Sequence, residues 1–290
     1  MSYQVFGRRS GIMLCYPFEE KRLSRWKPPY LIQRKLDGAR CRALCEGRKV
    51  TLVSSEGNEF KHIPHINEAL SRLGIHAELD GELYRHGMGF SDIMSIVSRK
   101  VDPHPGYAEV EYHIFDVVNG ASQVSRVVEL ETLKWEIVAR NSQEELRVVD
   151  TIAVETMDDI MKAFDDFIEG GYEGFVIRDS SGVYQRKRYT GIMKFKPHQE
   201  DVYEIIGTQE EVSIKGHFKN ALGAFICRGD DGSTFTVGSG SALTREARES
   251  LWKEKENLMG QHLQVKYQGL TPGRGVPRFP VALRVLDLTG

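Results

Sequence analysis

The spacing of apolar residues changes character at Pro197, and that change limits the folds open to this 290-residue chain. Before it, short strands and helices alternate without a regular βαβ beat, which predicts an α+β layout with largely antiparallel sheets. Strand material runs from Tyr30 to Leu44 with a break at Asp37-Gly38, then at Lys49–Ser54, Ala77–Tyr84, Tyr112–Val118, Gly174–Arg178 and Ile192–Phe195. Pro64–Leu73 reads as a helix, with proline at its start and Gly74 beyond its end. Val127–Arg140 reads as another. Met157–Glu169 is a third, because Met157, Ile160, Met161, Phe164, Phe167 and Ile168 recur at helical spacing. Met1–Trp26 reads as an irregular lead-in. After Pro197 the pattern is five short strands (Val202–Gly207, Gly223–Arg228, Thr234–Gly238, Leu263–Gln268, Ala282–Leu286) and one helix, Thr244–Leu258. That set suits a small barrel of the oligonucleotide-binding (OB) kind. The expected division is residues 1–199 and 200–290.

Charge and cysteine usage narrow the function. Lys and Arg number 39 against 41 Asp and Glu, a net charge of -2, which excludes a polybasic protein. Nucleic-acid binding would have to come from a local basic stripe. No apolar run reaches the ~20 residues of a membrane helix, so no membrane association is expected. No signal-peptide stretch follows the N-terminus. Cys15, Cys41, Cys45 and Cys227 form no C-x-x-C pair. They read as reduced, buried thiols of a cytoplasmic protein.

The string Lys35-Leu36-Asp37-Gly38-Ala39-Arg40 carries the most chemistry. It sets a lysine on a strand, then a carboxylate–glycine turn, then an arginine. With Arg34 and Arg40 close in sequence, the neutral and nucleophilic form of the Lys35 amine is expected to be favoured. Asp37, two residues on, is expected on the same strand face. Lys194 and Lys196 alternate with apolar residues, so a strand would aim both ammonium groups one way, as an α-phosphate needs.

K-x-D-G-x-R resembles the nucleotidyl-attachment motif of the covalent nucleotidyltransferases, which include DNA ligases, RNA ligases and capping enzymes. Further motifs of that superfamily follow in order. Leu79-Asp80-Gly81-Glu82-Leu83 resembles the third motif and Phe115-Asp116 the aromatic one. Glu173-Gly174-Phe175-Val176-Ile177-Arg178 resembles the fourth, and Met193-Lys194-Phe195-Lys196 the fifth. Arg278-Phe279-Pro280, with Arg284 beyond, resembles the sixth motif of ATP-dependent DNA ligases. Six ordered motifs are far more specific than any one.

The resemblance implies a minimal ATP-dependent DNA ligase: a nucleotidyltransferase (adenylation) domain followed by an OB-fold, with ATP and Mg2+ as cofactors. It implies that Lys35 forms a lysyl-AMP intermediate. It gives Lys194 and Lys196 roles at the α-phosphate; of the two candidate catalytic carboxylates, Asp37 and Asp80, Asp37 ranks first for its place two residues from Lys35. Nucleotide contacts fall to Gln33, Arg40, Glu82, Phe115, Glu173, Lys194, Lys196 and Arg278, and magnesium to Glu82 and Glu173. Asp201, in the Pro197–Asp201 link, is the expected hinge pivot. The partner it implies is nicked double-stranded DNA, bound by a monomer in the cytoplasm, of a cell or of an infected host. Arg186-Lys187-Arg188 with Tyr184 and Tyr189, Ser98-Arg99-Lys100, and Lys215–Lys219 are the candidate phosphate-gripping clusters. An RNA ligase, a GTP-dependent capping enzyme or an inactive nucleic-acid-binding scaffold are the alternatives. Two positions depart from the family pattern. Ser55 stands where an arginine is usual, and Ala282 where an aromatic is usual.

Overall fold

The computed structural model describes residues 11–286 apart from 198, 214, 230, 268 and 271–275. The first ten residues of the expected lead-in lie outside it. The chain divides into two units. One holds the chain to Ile160 together with Phe175–Phe195; the other holds Met161–Gly174 and the chain from Lys196 onward.

In chain order the first part contains β1 (Leu14–Pro17), α1 (Glu20–Leu23), β2 (Tyr30–Lys35), β3 (Ala39–Glu46), β4 (Lys49–Ser54), α2 (Pro64–Leu73) and β5 (His76–Tyr84). There follow α3 (Phe90–Val97), β6 (Glu111–Val117), α4 (Gln123–Ala139), β7 (Leu146–Val148), β8 (Ile152–Val154), α5 (Met157–Glu169), β9 (Gly174–Asp179) and β10 (Arg188–Phe195). Two five-stranded sheets result, with strand orders β4-β3-β5-β6-β7 and β1-β10-β9-β2-β8. The pairings are mostly antiparallel; β6 with β7 and β1 with β10 are parallel.

Alternation sorts β3 into two faces. Ala39, Cys41, Ala43 and Cys45 are buried on one. Arg40 and Arg42 lie on the other, with Arg40 opposite Glu82 in the ladder with β5. Burial pushes the Cys41, Cys45 and Cys227 thiols up, which keeps them protonated and inert. Helix α2 starts on Pro64 and stops at left-handed Gly74, burying Ile66, Ala69, Leu70 and Leu73. At the ends of β9 and β10, the Phe175 and Phe195 rings stack at 5.1 Å, with Phe18 packed edge-on against both.

The second unit contains β11 (Gln199–Val212), β12 (Phe218–Arg228), β13 (Thr234–Val237), α6 (Arg245–Lys253), β14 (His262–Tyr267), β15 (Gly269–Leu270), β16 (Pro277–Arg278) and β17 (Val281–Leu286). The main sheet has the order β13-β12-β11-β14-β17. Strict alternation in β13 and β14 sends Phe235, Val237, Leu263, Val265 and Tyr267 into one core with Tyr203, Ile205, Leu222 and Phe225. Ala282 is fully buried in that core. A Cβ on Gly240 would meet its carbonyl oxygen at 2.0 Å. An aromatic at position 282 would have to find room inside this buried core.

Several elements differ from expectation. The lead-in contains β1 and α1, because backbone pairing with β10 orders a segment that has no strand-like pattern of its own. α4 starts at Gln123, capped by the Ser122 hydroxyl, a turn before Val127. The expected Thr244–Leu258 helix breaks at Glu254 into α6 and a short 3-10 turn. β10 begins at Arg188 and ends at Phe195, leaving Lys196 past the strand, where alternation no longer fixes its direction. Asp201 sits inside β11, opposite Val265.

Candidate active site

Lys35 is the last residue of β2, half-buried. The chain then turns through buried Leu36 and exposed Asp37 to Gly38. A Cβ on Gly38 would lie 2.3 Å from the Leu83 carbonyl oxygen and 2.9 Å from Glu82 Cγ. Only glycine permits this approach. The turn behind the lysine is therefore pressed onto β5 at Glu82, and β3 leaves it carrying Arg40 directly opposite Glu82. His113 of β6 faces Glu82 from the other side. Two motifs far apart in sequence thus meet at one missing methyl group.

Arg40 is held with little freedom. Its Nε and Nη2 donate to the two carboxylate oxygens of fully buried Asp80 at 2.7 and 2.6 Å. Its guanidinium carbon lies 4.8 Å from the centre of the Phe115 ring. Burial pulls the Arg40 guanidinium towards neutrality, and the Asp80 carboxylate more than reverses this, so its pKa ends above the ordinary arginine value. The Tyr184 hydroxyl also donates to Asp80, at 2.5 Å.

A second buried network lies behind Phe115. Asp116, fully buried, accepts from Arg126 Nε at 2.7 Å and from Arg178 Nη1 at 2.6 Å. The Gln123 side-chain oxygen accepts from both arginines at 2.5 and 3.3 Å. Arg178 Nε donates to Gln33 Oε1 at 3.1 Å, and Gln33 Nε2 donates to the Phe115 carbonyl and to Thr151. Five polar side chains from β2, β6, α4 and β9 interlock away from water, and of their polar atoms the Gln123 Nε2 has no hydrogen-bond partner among the described residues.

These positions correct several expectations. The Gln33 amide is braced by protein, with Nε2 donating to the Phe115 carbonyl and Thr151 and Oε1 accepting from Arg178. Asp37 does not share a strand face with Lys35, because β2 ends at Lys35 and Asp37 is exposed in the turn. The excess positive charge expected beside Lys35 is compensated, since Arg34 pairs with Asp150 at 2.8 Å and Arg40 with Asp80. Lys194 is half-buried on β10 opposite Val176, whereas Lys196 lies beyond the strand and pairs with Glu173. Arg278 is on β16 in the second unit, beside the Phe279 ring. Of the basic clusters, Tyr184 is turned inward, Arg186 pairs with Glu78 at 2.6 Å, and Arg188 donates to the Cys15 carbonyl.

Sequence reading missed Asp116, Arg126, Arg178 and Tyr184 as a framework. One signal was present: Gln123, Arg126, Leu130, Leu133 and Ile137 form the buried stripe of α4, and a polar pair on such a stripe needs buried partners.

The geometry decides the fold; comparison with known families decides the lineage. Residues 12–196 match the ATP dependent DNA ligase domain, and residues 215–285 match the DNA ligase OB-like domain. The chain belongs to the ATP-dependent DNA ligase family. The DNA ligase of Haemophilus influenzae is 25% identical over 271 residues, spanning 93% of this chain and 90% of its own length. The fold is shared with a Chlorella virus DNA ligase-adenylate structure (TM-score 0.69, 21% identity, 97% of this chain and 99% of that one). It is shared also with the ATP-dependent DNA ligase of bacteriophage T7 in complex with ATP (TM-score 0.70, 16% identity, 93% and 97%). This ligase thus consists of a nucleotidyltransferase domain and an OB domain and uses ATP. No helix among the described residues is long and apolar enough to cross a membrane.

Proposed function

We propose that this ligase seals nicks in duplex DNA as a monomer in the cytoplasm, with Lys35 as nucleophile. The observation that carries the reading is the Gly38 contact, which seats the turn after Lys35 on Glu82 with Arg40 alongside. The Lys35 amine attacks the α-phosphorus of ATP. A P–N bond forms, the bond to pyrophosphate breaks, and the amine sheds a proton. A 5′-phosphate oxygen then displaces the lysine, giving adenylated DNA, and the 3′-hydroxyl displaces AMP to close the phosphodiester. Arg40 and Glu82 hold the ribose and Phe115 supports the base, while Lys194, Lys196 and Arg278 neutralise phosphate charge. Asp37, exposed beside Lys35, assists the adenylyl transfer.

Magnesium needs one or two protein carboxylates and keeps several of its waters. Glu82 and Glu173 suit it in that sense. No trio of His, Cys, Asp or Glu gathers among the described residues. When bound, magnesium would offset phosphate charge.

The test is covalent labelling. The protein and Lys35→Ala are incubated with magnesium and α-labelled ATP, GTP or adenylate-labelled NAD after pyrophosphate stripping, then chased with nicked DNA or nicked RNA. Label from ATP alone, absent in the variant and passed to nicked DNA, is the expected result. Label from GTP, or transfer only to RNA, overturns it.

A further inference from the structure

The hydrogen bonds around Asp80 close into a ring. Arg40 Nη2 donates to Asp80 Oδ2 at 2.6 Å, and the Tyr184 hydroxyl donates to the same oxygen at 2.5 Å. The Met13 backbone N–H donates to the Tyr184 oxygen at 3.1 Å, and Arg40 Nη2 returns to the Met13 carbonyl at 3.1 Å. The ring joins β3, β5, the stretch between β9 and β10, and the residue just before β1. Asp80 and Met13 are buried. The Tyr184 ring is also fixed, with the Arg126 guanidinium 5.9 Å from its centre. Nε and Nη2 of Arg40 are consumed within the ring, and Nη1 has no hydrogen-bond partner among the described residues.

We propose that Tyr184 is a positioning residue for the nucleotide, acting through Asp80 to hold Arg40 against Phe115 with Nη1 available to ATP. The proposal rests on the reading above that Arg40 contacts the nucleotide. Without the phenol, Asp80 loses a donor and the Met13 N–H loses its acceptor. Arg40 then keeps its bonds to Asp80 and the Met13 carbonyl, but both acceptors have lost their tie to Tyr184 and are less firmly placed, so the guanidinium can shift away from the Phe115 face. The loss should fall on binding rather than chemistry, because the Lys35 turn is fixed separately by Gly38 and Glu82.

Tyr184→Phe keeps the ring and removes only the hydroxyl. In single-turnover adenylation it is expected to raise KM for ATP roughly five- to twenty-fold and leave kcat within about two-fold. In an Arg40→Ala background the same substitution should change nothing further, the coupling expected of two residues in one network. Where Arg40→Ala reacts too slowly, the Kd for ATP on Lys35→Ala proteins, which form no covalent product, gives the same comparison. An unchanged KM in Tyr184→Phe overturns the proposal, even with a lowered Tm, since a merely structural role would show only there. An equally large effect with and without Arg40 overturns it as well. An unchanged ATP affinity in Arg40→Ala itself would remove the underlying reading, and the proposal with it; only that outcome bears on the nucleotide assignment.

Discussion

Asp116 shows how much of this site depends on residues that never touch substrate. One carboxylate lies between two buried guanidiniums, with the Gln123 side-chain oxygen sharing the load. Replacing such a cluster wholesale by apolar groups can be neutral, but removing one member leaves the others buried and unpaired. Asp116→Ala is expected to lower stability by about 3–5 kcal/mol, read as a fall in the urea midpoint at unchanged slope. Glu46→Ala, which removes the partner of the exposed Lys49, should cost far less. The cluster was not legible in the sequence for a physical reason. Arg178 and Gln33 are 145 residues apart, Arg178 and Asp116 62 apart, and residue periodicity carries no information about which distant polar groups will meet. Lys35, Glu82 and Arg40 were legible because their motifs are local strings. What joins them, the approach allowed by Gly38, could be seen only in three dimensions.

At the scale of elements, α5 shows both what periodicity gives and what it hides. Its bounds, Met157–Glu169, follow from the apolar spacing alone, and Ile160 and Phe164 are fully buried as that spacing requires. The same spacing says nothing of Asp165, which lies next to the apolar stripe. Burial pushes the Asp165 carboxyl up to about 6, against the pull of the Ser239 hydroxyl and Arg248. The folded state therefore holds this proton more tightly than the unfolded chain does. The stability it contributes is complete below the unfolded value near 3.8 and is lost as pH rises through about 6. Asp165→Asn removes that loss. It should raise stability by about 1–2 kcal/mol at pH 8, after allowance for partial solvent access, and leave it unchanged near pH 4. Thermal melts across that range check the sign. Elements were less legible where tertiary pairing overrides local pattern: β1 exists because β10 offers it an edge, and α4 starts at Ser122 because of a cap that the apolar spacing does not register.

For the whole molecule, a net charge of -2 means that affinity for DNA cannot come from the overall field. It must come from cations left over once internal pairs are satisfied. Arg186 is spent on Glu78, Arg188 on the Cys15 carbonyl, and Lys219 on Glu211. Arg99, Lys100, Lys187 and Lys215 are exposed, and no carboxylate lies in ion-pair range of any of them among the described residues. Each phosphate neutralised contributes about 0.9 to the slope of log affinity against log salt. Four such contacts predict a slope near -3.6 for a nicked duplex, measured by titration at several salt concentrations. Lys187→Ala should flatten the slope by about one unit, since it removes a cation that is free to meet a phosphate. Arg186→Ala should leave the slope nearly unchanged, because its charge is already matched by Glu78. A flat salt response, or a larger effect from Arg186 than from Lys187, would mean that DNA is gripped by residues whose internal pairs open on binding.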